Sequence, residues 1–116
     1  MYNDFIEGEN YIMNMKEYGQ SVEGFIITAD NERMIENTLG LVGEAGEVAE
    51  KIKKCIRDNH APNKMELIKE LGDVLFYVTA LANHIESDLE TVAIHNVAKL
   101  QDRKNRNKIQ GSGDNR

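Results

Sequence analysis

Residues Leu41 to Ile52 read LVGEAGEVAEKI. On a helix each residue turns about 100°, so Leu41, Ala45, Val48 and Ile52 fall on one narrow apolar stripe. Glu44 and Glu47 flank that stripe on one side, at roughly 60° and 120° from Leu41 and one turn apart. The pattern then returns. Glu44-Ala-Gly-Glu47-Val48 is answered by Glu70-Leu-Gly-Asp73-Val74, with the same 26-residue offset from 44 to 70 and from 47 to 73. Leu67, Leu71, Val74 and Val78 form the second stripe, and Lys51 is matched by Tyr77. Two such helices, antiparallel and joined along their stripes, would gather four carboxylates at one edge of the seam, where mutual repulsion demands a cation. Oxygen ligands at this density suit Mg²⁺, with Mn²⁺ as a substitute.

Outward from this core the composition is helical. The chain has 116 residues, 41% hydrophobic, with a single proline, Pro62, and no tryptophan. Its Glu, Lys, Ala, Leu and Met favour helix over sheet, so an all-α fold is expected, one domain over 1–106 followed by a polar, frayed tail over 107–116. A formal charge of −6 speaks against a nucleic-acid-binding body. The lone Cys55 permits no internal disulfide and no thiolate zinc cluster, which fits a reduced, cytoplasmic setting. No run approaches about 18 apolar residues, and the first residues lack a basic-then-apolar pattern, so neither membrane span nor signal peptide is expected.

Four helices follow from the spacing. The first is expected from about Asp4 to Val22, on Tyr11, Ile12, Met15, Tyr18 and Val22. Glu23 to Asn31 reads as a connection whose apolar residues cover the core, with Asp30 or Asn31 capping the next helix. The second helix runs from about Glu32 to Arg57 despite Gly40, Gly43 and Gly46, each costing about 1 kcal/mol relative to Ala; close packing and room for a ligand are the two available reasons. Asp58 to Pro62 is a turn, Pro62 or Asn63 opens the third helix, which continues to about Glu86, and Ser87 or Asp88 caps the fourth, which ends near Arg106.

The fourth helix has Leu89, Val92, Ala93, Val97 and Leu100 as its stripe, interrupted by Asn96 and Arg103, with Lys99 at the margin. Either these polar groups are satisfied locally, or they bind phosphate. A single Glu pair three apart would be ordinary surface; the repeated frame beside two stripes is what argues for a metal. A di-iron site would need Glu-x-x-His, and none of His60, His84 or His95 follows a Glu by three. Lys51 lies on the acidic side as a salt-bridge partner or phosphate contact, whereas Glu50 points away.

Glu44-x-x-Glu47, a gap of 22 residues, then Glu70-x-x-Asp73 resembles the MazG-like all-α nucleoside triphosphate pyrophosphohydrolases. The likeness covers about Leu39 to Arg103, and Asn96-x-x-Lys99-x-x-x-Arg103 is similar to that family's Asn, Lys and Arg on its last core helix. Gly43 departs from it, since many members carry a Glu there. The resemblance implies a four-helix bundle assembling as a dimer or dimer of dimers, and hydrolysis of a nucleoside or deoxynucleoside triphosphate to the monophosphate and pyrophosphate. Glu44, Glu47, Glu70 and Asp73 would then hold Mg²⁺, and Glu47 would accept the proton of the attacking water. Lys99 and Arg103 would hold the phosphates, with Asn96 orienting an oxygen. Tyr77 would meet the nucleoside or simply pack. The apolar residues Phe5, Ile6, Tyr11, Ile12, Met15, Ile68, Leu75 and Ala82 exceed what one seam covers, which also points to a homo-oligomer. The competing reading is a non-catalytic helical interaction module with an acidic, metal-binding face; the cations of the fourth helix favour the enzyme.

Overall fold

The computed structural model describes residues 12–114. Among them four α-helices run in order: α1 Met15–Glu23, α2 Arg33–Arg57, α3 Lys64–His84 and α4 Leu89–Asn105, with a single 3-10 turn, Asp30–Glu32, before α2 and no strand.

Each start has its own chemistry. Asn14 opens α1 as one half of a capping box: its side chain accepts from Glu17 N at 2.8 Å, and the Glu17 carboxylate accepts from Asn14 N at 3.4 Å. The helix therefore begins at Met15. That part of the expected first helix which precedes residue 12 lies outside the described residues. Neither Asp30 nor Asn31 caps α2 through its side chain. The 3-10 turn does the work instead, with Glu32 N donating to Ala29 O, so the first turn of α2 grows out of a hydrogen-bonded turn. Asn63 caps α3 by accepting from Glu66 N, and Asp88 caps α4 by accepting from Thr91 N at 2.7 Å.

Three helices end alike. Asn59, Glu86 and Asn107 take positive φ of 55°, 59° and 57°, and the next amide closes back onto the last turn: His60 N to Cys55 O, Ser87 N to Ala82 O, Lys108 N to Arg103 O. Asparagine tolerates that conformation well; Glu86 holds it with a Cβ that costs more.

α2 and α3 form the antiparallel hairpin that the repeated pattern requires, and α1 is fastened across it by polar bonds rather than by bulk. Arg33, buried, grips Glu23 through two bonds of 2.9 and 3.0 Å and donates to Ala80 O at 2.9 Å. Asn83 donates to Gly19 O and to the same Glu23 carboxylate. Val22, Thr79, Ala80 and Ala82 fill the small space between. Since those short side chains already close it, Phe25 and Ile27 of the connection stay exposed instead of covering the core.

Much apolar surface is left over. Of the two stripes, Leu41, Val48, Ile52, Leu67, Val74 and Val78 are half-buried, while Ala45 and Leu71 are exposed. Val92, Val97 and Leu100 of the α4 stripe face outward, as do Leu39, Val42 and Ile56 of α2. The radius of gyration is 17.0 Å, against about 13 Å for a compact chain of this length. No helix of the described residues is long and apolar enough to cross a membrane.

Candidate metal centre and the cationic helix

The antiparallel register of α2 and α3 sets the acids opposite one another. Glu44 on α2 and Glu70 and Asp73 on α3 each bring a carboxylate oxygen within 4.8 Å of the other two. Glu44 and Glu70 are half-buried and Asp73 is exposed. None of the three pairs with a basic side chain among the described residues. The consequence is electrostatic: burial raises the Glu44 carboxyl above its ordinary value, and the charges of Asp73, Glu70 and Glu47 raise it further. A cluster of hard oxygen donors carrying unrelieved repulsion fits a divalent cation of the Mg²⁺ kind.

Glu47 stands apart from this trio. It is exposed and outside the group of three, one turn along α2, although close enough for its charge to act on Glu44. Three of the four acids thus converge and Glu47 is a satellite, although Asp73, at the same helical spacing from Glu70 as Glu47 from Glu44, lies within the trio.

Tyr77 is half-buried and its ring lies on Gly40, where a Cβ would meet the ring's Cε1, Cζ and Cδ1 atoms. Phe76 meets the Tyr77 ring edge-on, with centroids 5.2 Å apart and planes at 87°. Gly40 is therefore explained by close packing. Gly43, Gly46 and Gly72 are not, since nothing lies within 4 Å of a Cβ built at any of them. Lys51 makes no ion pair with the acids; it lines a cavity of about 210 Å³ near the α2–α3 turn with Lys54, Asp58, His60, Asn63 and Glu66.

α4 packs on α1 and α3, and Val92 faces Met34, Thr38 and Leu41 of α2 only across a cavity. Asn96 is exposed and, with Lys99, borders a shallow surface hollow that includes Thr91 and His95. Lys99 and Arg103 converge on Asp114, from the stretch expected to be frayed: Lys99 Nζ lies 3.2 Å from Asp114 Oδ1, and Arg103 Nη2 donates to Asp114 O at 2.8 Å. The expectation of a loose tail took no account of this carboxylate, whose opposite charge gives the segment something to hold. Neither cation is among the charges acting on Glu44.

Two polar groups escaped the sequence reading. Tyr18, counted there as core, has its hydroxyl raised by burial and then by the charge of Asp73, which sets α1 beside the acids. Asn37 is 2% exposed, and its Nδ2 has no hydrogen-bond partner among the described residues. Its signal was available: it interrupts the Leu41 stripe one turn upstream.

The matched acid pairs, on an antiparallel helical hairpin with a basic last helix, coincide with a family model described as the MazG nucleotide pyrophosphohydrolase domain, which matches residues 32–107. The chain belongs to the MazG family. It is 54% identical over 83 residues to the Gene 37 protein of Mycobacterium phage L5, an alignment covering 68% of this chain and 73% of that relative. No solved structure matches it. The MazG match contains all four acids, the hairpin and α4, and leaves α1 and the last residues outside.

Proposed function

We propose that this MazG protein hydrolyses a nucleoside or deoxynucleoside triphosphate to the monophosphate and pyrophosphate, with Mg²⁺ held by Glu44, Glu70 and Asp73 and completed by Glu47. The observation that carries the reading is the convergence of three carboxylates, two of them half-buried, with no basic partner, inside a MazG match. Bound there, a divalent cation supplies neutralisation of the triphosphate charge and a more acidic water at its surface. Glu47, outside the trio yet one turn away, accepts the proton of the attacking water. Lys99 and Arg103 take the phosphate charge as it moves toward the leaving pyrophosphate, Asn96 orients an oxygen, and Lys51 adds positive potential along α2. The Tyr77 ring, fixed on Gly40, offers its outer face to the nucleoside.

The apolar faces of α2 and α4 support assembly into a dimer or a dimer of dimers. Since neither Lys99 nor Arg103 is among the charges acting on Glu44 within one chain, a second copy is the simplest way to bring cations to the acids. Cys55, free and buried, fits a cytoplasmic setting.

The test is product identification. Each of a panel of ribo- and deoxyribonucleoside triphosphates is incubated with the protein and Mg²⁺, and the products are read by phosphorus NMR. Monophosphate plus pyrophosphate supports the reading; diphosphate plus phosphate overturns it in favour of hydrolysis at the terminal phosphate, and no turnover on any nucleotide returns the chain to a non-catalytic acidic binding module.

A further inference from the structure

The stretch after α4 turns back on the helix it has just left. Gly111 and Gly113 take φ of 127° and 84°, a backbone that L side chains rarely adopt, and the reversal delivers Asp114 to Lys99 and Arg103. Lys99 and Arg103 hold it. Lys99 Nζ donates to Asp114 Oδ1 at 3.2 Å, Arg103 Nη2 sits 3.5 Å from the same oxygen, and Arg103 Nη2 donates to the main-chain oxygens of Asp114 at 2.8 Å and Gly113 at 3.2 Å.

The two sides of this contact are unequal. With the segment in place the Arg103 side chain is 5% exposed, so its guanidinium there has little water, and its Nε is buried with no hydrogen-bond partner among the described residues. The Asp114 side chain is 83% exposed. A desolvated, incompletely bonded cation has much to gain from a richer anion, while the carboxylate covering it loses little by returning to water. Lys99 and then Arg103 hold the Asp114 carboxyl below its ordinary value, as befits a charged group used as an anion.

We propose that Asp114 is an intramolecular stand-in for phosphate: the segment Gly111 to Asp114 covers Lys99 and Arg103 in the empty protein and is displaced when a polyphosphate binds. This rests on the reading of Lys99 and Arg103 as the phosphate contacts and adds a competitor to it. An exposed carboxylate–cation pair shifts an equilibrium by roughly 1.5- to 5-fold, enough to weaken loose anions and too little to exclude a triphosphate.

The experiment is titration calorimetry of inorganic pyrophosphate, without divalent cation, into the full chain and into Asp114→Asn. The substitution keeps shape and removes charge, and tightening of about 2- to 5-fold is expected. Adding Lys99→Ala to Asp114→Asn should abolish that gain. Equal affinity in the two proteins overturns the proposal, as does binding too weak to detect in both; weaker binding by Asp114→Asn overturns it in favour of Asp114 as a residue that holds the cations in place. Nucleotide turnover separates this outcome from the fate of the activity. Hydrolysis with the same KM in both proteins removes the competitor and leaves the pyrophosphohydrolase standing, whereas tighter pyrophosphate with no hydrolysis removes the enzyme and leaves the competitor.

Discussion

The ring of Tyr77 lies where the Cβ of any residue other than glycine at position 40 would be, with its Cδ1 2.8 Å from that point. This relationship fixes the local spacing of α2 and α3 one turn from the acids. Gly40→Ala must push the ring outward. Overpacking of about 1–3 kcal/mol outweighs the gain of about 1 kcal/mol in helix propensity. The melting temperature should fall, and the nucleotide KM should rise if the ring serves the nucleoside. A variant that melts higher than the parent would show that the ring moves freely.

Gly43, Gly46 and Gly72 give the opposite case, because open space surrounds each in the single chain. Alanine at any of them should stabilise an isolated chain by up to about 1 kcal/mol. If a second copy packs closely over this face, Gly46→Ala and Gly72→Ala should instead weaken assembly. Sedimentation at several concentrations, run beside thermal melts, separates the two: a more stable protein with unchanged association would place the interface elsewhere.

Glu23 and Arg33 make stability depend on pH. Its bonds to Arg33 hold the Glu23 carboxyl below its ordinary value, so the folded chain binds that proton less tightly than the unfolded chain does. The stabilisation is complete above the unfolded carboxyl range and disappears as pH falls through the folded value. Glu23→Gln should therefore lower stability near neutrality and flatten its loss on acidification. Denaturant melts across that range check this; parallel pH profiles for the two proteins would contradict it.

Glu44 has the opposite sign. Its carboxyl is raised, so the metal-free fold gains stability as pH falls and loses it as the carboxyl ionises. Glu44→Gln should melt higher than the parent in EDTA at neutral pH and lower than the parent once Mg²⁺ is added. An unchanged order in the two conditions would mean that Glu44 holds no cation.

The fold was legible wherever periodicity carried it. Two stripes with the same acid frame fix α2, α3 and their antiparallel pairing, and Asn63 and Asp88 announce the starts of α3 and α4 by their capping chemistry. What escaped was long-range polar pairing. Nothing in the local pattern tells Arg33 that its partners are Glu23 and the Ala80 carbonyl, 10 and 47 residues away. Likewise the 15-residue reach from Lys99 to Asp114 depends on two glycine turns in a stretch with no periodicity to read. The repeated acid frame was legible, yet helical angle alone could not say that Glu47 would stand outside a trio whose members come from two helices.

Pyrophosphate release measured with Mg²⁺, with excess EDTA, and with Glu44→Gln, Glu70→Gln and Asp73→Asn bears on all of this at once. A metal-held charge removed at constant volume should cost at least about 100-fold in turnover for each variant, with the helices intact by circular dichroism, and EDTA should abolish release by the parent. Release that persists in EDTA, or near-normal turnover in all three variants, would contradict the account.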